Sequence, residues 1–470
     1  MNALYNTDTI CAPATAVGGA LAIIRVSGTK AFAAVSNLCS VCCDSVAANT
    51  VHYTRLVEYD AVSQHPLPID EALVTVFRAP HSYTGEDSVE ISCHGSSYII
   101  NKVLELLVQN GCRMANPGEF TQRAYLNGKL DLSQAEAVAD LIASTNKATH
   151  RLAMSQLRGG ISSELSALRD QLLRLTSLLE LELDFSDHED LEFADRSELL
   201  ELAQKIDAHI TRLANSFHAG NALKNGIPVA IVGAPNVGKS TLLNALLGEN
   251  RAIVSDIQGT TRDAIEDTIQ LGGVTFRFID TAGIRHTDDQ IELMGIDRSI
   301  AAAQRARIIL MMTEPGVPYP EIPIRDDQTL ITVCNKSDLD SHRPVYCDTG
   351  ATTPIPISAK FGVGLDYLRQ RLIDAAPQNA DNDVIVTNAR HYEALTRAHA
   401  HLQRVFAGLG TADDSADDSL HAPHSTLPTP PDLVAEDLRL TLDTLAEITG
   451  GQITPQETLN NIFKHFCVGK

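Results

Sequence analysis

The chain has 470 residues, 44% of them apolar and 20% charged, which is too long for one hydrophobic core and is typical of a globular protein of roughly three domains. Its formal net charge of −22 excludes a protein that wraps nucleic acid broadly, because such a protein needs a basic face to displace counterions from phosphates. No segment is apolar over the length of a bilayer, and the first residues do not resemble a signal peptide, so we expect a cytoplasmic protein with no membrane contact.

Residues 1–120 are predicted to form an α+β domain. Short apolar runs at 20–24, 71–77 and 88–92 are typical of strands, and the apolar spacing of 98–108 is typical of a helix. Four polar residues in or beside this domain have no local explanation, and solvated surface charges are the plain alternative to a binding site. They are Arg25, Glu90, His94 and Lys129.

Nine cysteines are scattered along the chain, an odd number that does not suggest a secreted disulfide framework. Cys39 and Cys42 form one Cys-x-x-Cys pair, but no second pair stands at the spacing of a zinc site. We therefore expect reduced, partly buried thiols rather than a metal or redox site.

Residues 121–222 and 379–470 are predicted to be the two parts of a helical domain. In the first part, leucines recur every three or four residues, which predicts one apolar face along a long helix. They are Leu165, Leu168, Leu172, Leu175 and Leu179. In the second part, the same spacing at 395–405 and 438–445 predicts two more helices. Residues 410–431 between them are rich in Asp, Ser and Pro, which predicts a disordered loop without a catalytic role.

The helical parts enclose residues 223–378, which are predicted to be an inserted nucleotide domain. Its first motif, Gly233-Ala-Pro-Asn-Val-Gly-Lys-Ser240, lies between a strand pattern and a helix pattern. In that context the backbone amides surround phosphates, Lys239 reaches the β- and γ-phosphates and Ser240 ligates Mg²⁺. A bare glycine-rich turn is the alternative. The predicted phosphate-binding residues are Asn236, Val237, Gly238, Lys239, Ser240 and Thr241.

The next two motifs indicate that the base is guanine. Asn335, Lys336 and Asp338 form an Asn-Lys-x-Asp pattern after an apolar strand, and the two oxygens of Asp338 can accept both N1–H and N2–H of guanine. Adenine has an acceptor at N1 and meets a carboxylate badly. A later Ser-Ala-Lys run can place a backbone N–H on guanine O6; its residues are Ser358, Ala359 and Lys360. The order of motifs therefore favours GTP over ATP.

Two segments are predicted to sense the γ-phosphate. The first precedes the Asp-x-x-Gly motif and contains Ser255, Asp256, Ile257, Gln258, Gly259, Thr260 and Thr261. The second is the motif itself, with Asp280, Thr281, Ala282 and Gly283. Thr261 is predicted to give Mg²⁺ its hydroxyl and Asp280 to hold Mg²⁺ through water, while Lys239 and Asp280 serve catalysis.

The motif set departs from that of Ras-like enzymes at the residue that orients the attacking water. Ras-like enzymes place a glutamine after the Asp-x-x-Gly motif, whereas this chain has Ile284, which is apolar. Glu292 is the nearest candidate for the same role. A solvated helical glutamate is the alternative interpretation.

The chain resembles the MnmE (TrmE) family, the tRNA uridine 5-carboxymethylaminomethyl modification GTPases. The resemblance rests on the motifs above and on family-specific segments over nearly the whole length. These segments are residues 8–15, 24–28, 83–87, 116–124, 127–137 and 387–391, and the tail Phe466-Cys-Val-Gly-Lys470. The implied fold class is multidomain α+β and α/β: an N-terminal folate-binding-like α+β domain, a helical domain and an inserted Ras-like P-loop GTPase domain.

The resemblance also implies sites that the residues alone do not. A 5-formyl-tetrahydrofolate-type one-carbon donor would bind at Arg25, Glu90, Lys129 and Lys470. A K⁺ ion would bind at Asn236, Ser255, Ile257 and Thr260, where it would supply the charge that an arginine finger supplies elsewhere. Glu292 aligns with the water-orienting glutamate of the family. Cys467 matches a tail cysteine for which attack on the uridine ring is a possible role.

The resemblance implies partners as well. The family is homodimeric through its N-terminal domains, works with the flavoprotein MnmG and modifies C5 of the wobble uridine of certain tRNAs. One alternative is a regulatory or ribosome-assembly GTPase without modification chemistry, but the sequence contains neither a KH-type GXXG loop nor a second P-loop. Another is a membrane-remodelling GTPase, which needs a basic amphipathic helix that the sequence does not offer.

Overall fold

The computed structural model describes residues 8–16, 18–59, 65–184, 196–248, 267–279, 300–339, 353–377, 384–409 and 431–451, and residues 459, 462–464, 466, 467 and 469. They fall into two compact units. The first consists of Met1–Ala139, Gln156–Ser166 and Leu442–Lys470, and the second of Asp140–Ser155 and Ala167–Thr441. The domain boundaries predicted at residues 120, 222 and 378 remain predictions.

A six-stranded sheet forms the centre of the first unit. Its strands are β1 (Thr9–Pro13), β2 (Leu21–Ser27), β3 (Thr50–Tyr59), β4 (Pro66–Phe77), β5 (Ser88–His94) and β6 (Cys112–Met114). The order across the sheet is β3-β4-β5-β2-β1-β6. The pairing is antiparallel except between β1 and β6, which run parallel.

The alternation of side chains along β2 separates the main core from the opposite face of the sheet. Ala22, Ile24 and Val26 are buried in the core, so Arg25 between them points to the opposite face of the sheet. Arg25 lies directly across from Glu90 on β5. This register brings two of the four unexplained polar residues together.

Helices α1 (Ala31–Ser36), α2 (Ser97–Gln109) and α3 (Glu119–Leu126) accompany this sheet. Helix α2 buries Ile100, Val103 and Leu107, which are spaced at three and four residues, in the same core as β2 and β5. The sequence pattern predicted this helix to within one residue at each end.

The helical region begins with α4 (Leu132–Ala143), α5 (Lys147–Leu157), α6 (Gly160–Asp184) and α7 (Arg196–Asn225). All five leucines of the predicted apolar face lie on α6 and are at most 5% exposed. The prediction of a helix-packing face is therefore confirmed.

The second unit contains a six-stranded sheet with the order β12-β11-β10-β7-β9-β8. The strands are β7 (Ile227–Gly233), β8 (Asp267–Leu271), β9 (Val274–Phe278), β10 (Ile308–Thr313), β11 (Thr329–Cys334) and β12 (Ile355–Pro356). All pairs are parallel except β8–β9. Strand β10 is buried at every position, as expected for a parallel strand with both faces covered. Helix α8 (Lys239–Leu247) follows β7, and α9 (Leu365–Asp374) follows β12.

The turn between β8 and β9 is bound by the α4–α5 connection within the second unit. The Ala148 amide donates to the carbonyl oxygen of Gly273 at 3.2 Å, and Asn146 Nδ2 donates to Thr275 Oγ1 at 2.9 Å. Ala148 and Leu152 pack against the apolar core of the sheet formed by β7–β12. Part of the helical region thus shares a core with that sheet.

Helices α10 (Ala389–Leu409) and α11 (Pro431–Thr449) complete the described elements. Both were predicted from apolar spacing, and α10 packs along α7. The predicted loop 410–431 was one residue too long, because α11 starts at Pro431, where proline is favoured in a first helical turn; residues 410–430 lie outside the described residues. No helix in the described ranges is both long and apolar enough to cross a membrane.

Candidate functional site

The phosphate-loop motif connects the carboxyl end of β7 to the first residue of α8. The loop turns through left-handed backbone at Asn236, with φ of 63°, and at Gly238, with φ of 93°. Two glycines are required by close approach. A Cβ atom on Gly233 would lie 2.5 Å from the carbonyl oxygen of Met312, and one on Gly238 would lie 2.4 Å from Asn335 Nδ2. The loop is therefore pressed against the ends of two other segments.

Lys239 is turned into this loop. Its Nζ donates to the carbonyl oxygens of Gly233 at 2.8 Å and Ala234 at 2.9 Å, and burial lowers the pKa of its ammonium group. Ser240 and Thr241 occupy the first turn of α8, where helix N–H groups and the helix dipole favour an anion. A phosphate would supply the negative charge that compensates the desolvated ammonium.

Asn335 joins the phosphate loop to the segment after β12. Its Nδ2 donates to the carbonyl oxygen of Val237 at 2.8 Å, and its Oδ1 accepts from the Ala359 amide at 3.0 Å. The side chain is buried, so both bonds form out of water. Asn335 is 98 residues from Val237 and 24 residues from Ala359, so its amide group joins three motifs that are distant in sequence.

Asp338 is exposed, and the Ser358 hydroxyl holds it in place by donating to Oδ1 at 2.6 Å. The Ser337 amide donates to the carbonyl oxygen of Ile357 at 3.0 Å, which fixes the backbone beside it. Lys360 is exposed, with its ammonium group 5.3 Å from the centroid of the Phe361 ring. The base-recognition residues predicted from sequence therefore share one edge of the sheet, where ligands of parallel sheets bind.

The remaining predicted nucleotide residues lie outside the described residues. They are Ser255, Asp256, Ile257, Gln258, Gly259, Thr260, Thr261, Asp280, Thr281, Ala282, Gly283 and Glu292. Their roles stay predictions.

A second cluster of predicted site residues lies on the face of the first sheet that carries Arg25. Arg25 donates to Glu90 Oε1 through Nε at 2.9 Å and through one terminal nitrogen at 2.7 Å. Its guanidinium carbon lies 5.3 Å from the centroid of the Tyr83 ring and 5.6 Å from that of Phe120. The arginine is thus fixed by a carboxylate and two aromatic rings.

The carboxyl-terminal tail reaches the same place. The other terminal nitrogen of Arg25 donates to the carbonyl oxygen of Gly469 at 3.3 Å, and the Gly118 amide donates to that of Cys467 at 3.3 Å. Gly469 has φ of 94°, and a Cβ atom on it would lie 2.1 Å from the carbonyl oxygen of Pro13. Lys470 lies outside the described residues, and the thiol-bearing Cys467 is exposed.

Two other unexplained polar residues do not join the Arg25–Glu90 pair directly. Lys129 is exposed and donates to the carbonyl oxygen of Pro80 at 2.9 Å. His94 pairs with Asp70 on β4 at 2.7 Å and is 64% exposed, which agrees with a surface charge. The eight cysteines in the described ranges are free thiols, six of them buried.

Comparison with known proteins identifies relatives over the whole chain. The family model described as "GTP-binding protein TrmE N-terminus" matches residues 9–129, and "MnmE helical domain" matches residues 132–467. A protein of Phocaeicola vulgatus named tRNA modification GTPase MnmE is 50% identical over 99% of this chain and 100% of its own length. One of the same name in Bacteroides thetaiotaomicron is also 50% identical, over the same shares of both chains.

The chain belongs to the MnmE family. Among solved structures, the G-domain of FeoB from Methanococcus jannaschii is 21% identical and covers 32% of this chain and 97% of its own, with a TM-score of 0.22. At that score the likeness adds nothing to the assignment.

A charge network around the buried residue Arg123 connects three of the MnmE segments, and sequence reasoning missed it. Arg123 is 8% exposed and contacts Asp8 at 2.8 Å, Glu86 at 3.1 Å and Glu119 at 3.1 Å. Arg113 contacts Asp8 at 2.7 Å and Glu119 at 2.6 Å. In this MnmE chain, Glu86, Glu119 and Arg123 therefore tie the segments 83–87 and 116–124 to each other. The spacing of Glu119 and Arg123, four residues apart on α3 and therefore on one helix face, was the signal that could have suggested their pairing.

Proposed function

We propose that this chain is a GTP hydrolase that acts in tRNA modification, with a folate-binding N-terminal domain. The observation that carries the proposal is the Asn335 amide, which ties the phosphate loop to the residues that would read the base. The relatives that are 50% identical are named tRNA modification GTPases, which supports a role in tRNA modification. The described residues fit a guanine nucleotide, because a lysine, a helix N-terminus and an aspartate share one sheet edge.

The base is proposed to bind between Asn335, Lys336 and Asp338 on one side and residues 358–360 on the other. The Ser358 hydroxyl restricts rotation of the Asp338 carboxylate. A carboxylate held in one orientation can accept N1–H and N2–H of guanine together, whereas adenine has an acceptor at N1 and no 2-amino group, so it offers neither donor. GTP is therefore proposed over ATP.

Hydrolysis is assigned to Lys239, Asp280 and Glu292. Lys239 would exchange the Gly233 and Ala234 carbonyls for phosphate oxygens. Mg²⁺ would be held by Ser240 and Thr261 and would supply charge neutralisation at the phosphates. Glu292 would orient water in place of the glutamine that this chain lacks.

We propose K⁺ as a further cofactor, held by Asn236, Ser255, Ile257 and Thr260. Asn236 is exposed on the loop at a left-handed turn, where its side chain is available to a cation. The ion would provide positive charge next to the phosphates. We expect GTP turnover to be faster in KCl than in NaCl at equal ionic strength; equal rates would remove K⁺ from the proposal.

The folate site is proposed at Arg25, Glu90, Lys129 and Lys470. Its support is that Arg25 and Glu90 form a fixed pair beside the aromatic rings of Tyr83 and Phe120, and that the tail reaches Arg25. A pterin offers a flat ring and hydrogen-bonding edges that such residues can bind. Calorimetry with 5-formyl-tetrahydrofolate that detects no heat of binding would remove this part.

We further propose a cytoplasmic homodimer that works with an MnmG-type flavoprotein on C5 of the wobble uridine. Strands β3 and β4 expose large apolar side chains, which supports a protein contact on that sheet. These side chains are Val51, Tyr53, Tyr59, Leu67 and Leu73. Cys467 is exposed, and its substitution by serine would test whether its thiol takes part in the chemistry.

The function is tested by mass spectrometry of tRNA nucleosides from cells that lack the gene. We expect 5-aminomethyl-type wobble uridines to disappear on deletion and to return with the intact gene but not with Lys239→Ala. A Lys205→Ala gene, altered at an exposed ion pair on α7, serves as the matched control. An unchanged nucleoside profile in the deletion strain would favour the alternative, a regulatory GTPase without modification chemistry.

A further inference from the structure

Glu314 and Lys336 meet at the edge of the sheet where the base-recognition residues lie. Strands β10 and β11 are parallel, and Thr313 lies opposite Cys334 in their register. Glu314 is the first residue after β10, and Lys336 is the second after β11. Their side chains form an ion pair between Lys336 Nζ and Glu314 Oε2.

The backbone of Lys336 is held on both sides. Asn335 before it is anchored to Val237 and Ala359, and the Ser337 amide after it is bonded to Ile357. Lys336 itself has φ of 59°, a left-handed conformation that is strained for a lysine and needs such support.

Glu314 is held in a closed turn. The Thr313 hydroxyl donates to the carbonyl oxygen of Val317 at 2.6 Å, and the Val317 amide donates to that of Glu314 at 3.1 Å. With both backbones fixed, the ion pair ties the ammonium end of the Lys336 side chain to Glu314. A lysine without a partner would lose this single conformation, because its side chain has high rotamer entropy.

We propose that Glu314 is a positioning residue for the nucleotide base: it fixes the Lys336 stem as an apolar wall for the purine ring next to Asp338. This inference rests on the proposed GTP site. Fold stability does not explain the pair, because its side chains are 32% and 34% exposed, and ion pairs in that range contribute little to folding. The Lys336 stem would contact the ring face of any purine and so would raise affinity without selecting the base. Selection of guanine would come from Asp338, which binds the edge of the ring.

The test is the affinity of Glu314→Gln for GDP and for inosine diphosphate, which lacks the 2-amino group. We expect both dissociation constants to rise by about tenfold, mainly through faster dissociation, with their ratio unchanged. Glu314→Asp should recover part of the loss. Glu321→Gln removes the same charge from the same exposed connection and should bind as the unchanged protein does.

A double-mutant cycle with Lys336→Met decides whether Glu314 acts through Lys336. We expect the double variant to bind GDP no more weakly than Lys336→Met alone, and the melting temperature without nucleotide to stay the same in all variants. Unchanged dissociation in Glu314→Gln, or additive losses in the cycle, would overturn the inference. Failure of the unchanged protein to bind GDP would instead overturn the proposed GTP site.

Discussion

Replacing Arg123 with methionine should lower the free energy of unfolding of the first unit by about 3–5 kcal/mol. Arg123 is 8% exposed and is the shared partner of Asp8, Glu86 and Glu119. Methionine preserves much of the apolar stem but leaves Glu119, which is 9% exposed, with less positive charge around it. Breaking a buried ion network from one side is costly because the remaining charges stay desolvated.

The matched control is Arg55→Met on β3, whose partner Glu71 lies at 3.5 Å. Both side chains are more than half exposed, so the expected loss is under about 0.5 kcal/mol. The free energy of unfolding of both variants is measured by urea titration, with hydrogen exchange of the β1 and β5 amides as the probe of the first unit. Equal destabilisation by the two substitutions would contradict the assigned importance of the network.

The same network makes the effect depend on pH. Hydrogen bonding to Arg113 holds the pKa of Asp8 below its ordinary value of 3.8. Burial alone would raise the pKa of Glu119, but hydrogen bonds from Arg113, the Asn116 amide and Arg123 outweigh it and hold the pKa below 4.5. Lowered carboxyl pKa values stabilise the folded state above the unfolded values and lose that contribution as pH falls through the folded ones. The difference between Arg123→Met and the unchanged protein should therefore shrink below about pH 4.

Gly238→Ala should weaken GDP binding by about a hundredfold. The new methyl group would meet Asn335 Nδ2 at 2.4 Å, and alanine would have to adopt φ of 93°. Relief requires displacement of Asn335, whose bond to Val237 holds the phosphate loop. The strain and the lost hydrogen bond together account for roughly 2–3 kcal/mol of binding free energy.

Fluorescence titration with a labelled GDP measures this effect, and Gly248→Ala is its control at the other end of α8. Gly248 has right-handed backbone with φ of −61°, so alanine needs no strained conformation there. We expect Gly248→Ala to bind within about twofold of the unchanged protein. A Gly238→Ala protein with ordinary affinity would show that the loop adjusts without Asn335.

Local pattern predicted part of the elements, and two of its errors have physical causes. The apolar run at 20–24 underestimated β2, which extends to Ser27, because Arg25 sits at an outward position of the strand. The strand β3 was not predicted, since its burial alternates among polar residues and only Thr54 and Leu56 are fully buried. Periodicity finds an element when its buried face is apolar.

The motifs likewise predicted which residues belong to the proposed nucleotide site but not how they are connected. Glycine spacing and strand–loop–helix context identified Gly238 and Lys239, because those features are local. The bond from Asn335 to Val237 joins residues 98 positions apart, and the ion pair of Arg123 with Asp8 joins residues 115 apart. Such pairings depend on sheet order, which periodicity does not contain.

The binding of the β8–β9 turn by the α4–α5 connection has a consequence for truncation. A fragment cut at residues 223–378 would lack Asn146 and Ala148, so the Gly273 carbonyl and the Thr275 hydroxyl would be left to water. It would also expose the apolar surface that Ala148 and Leu152 cover. A soluble nucleotide-binding fragment should therefore retain the segment around residues 140–155, even though more than sixty positions separate it from β7 in the chain.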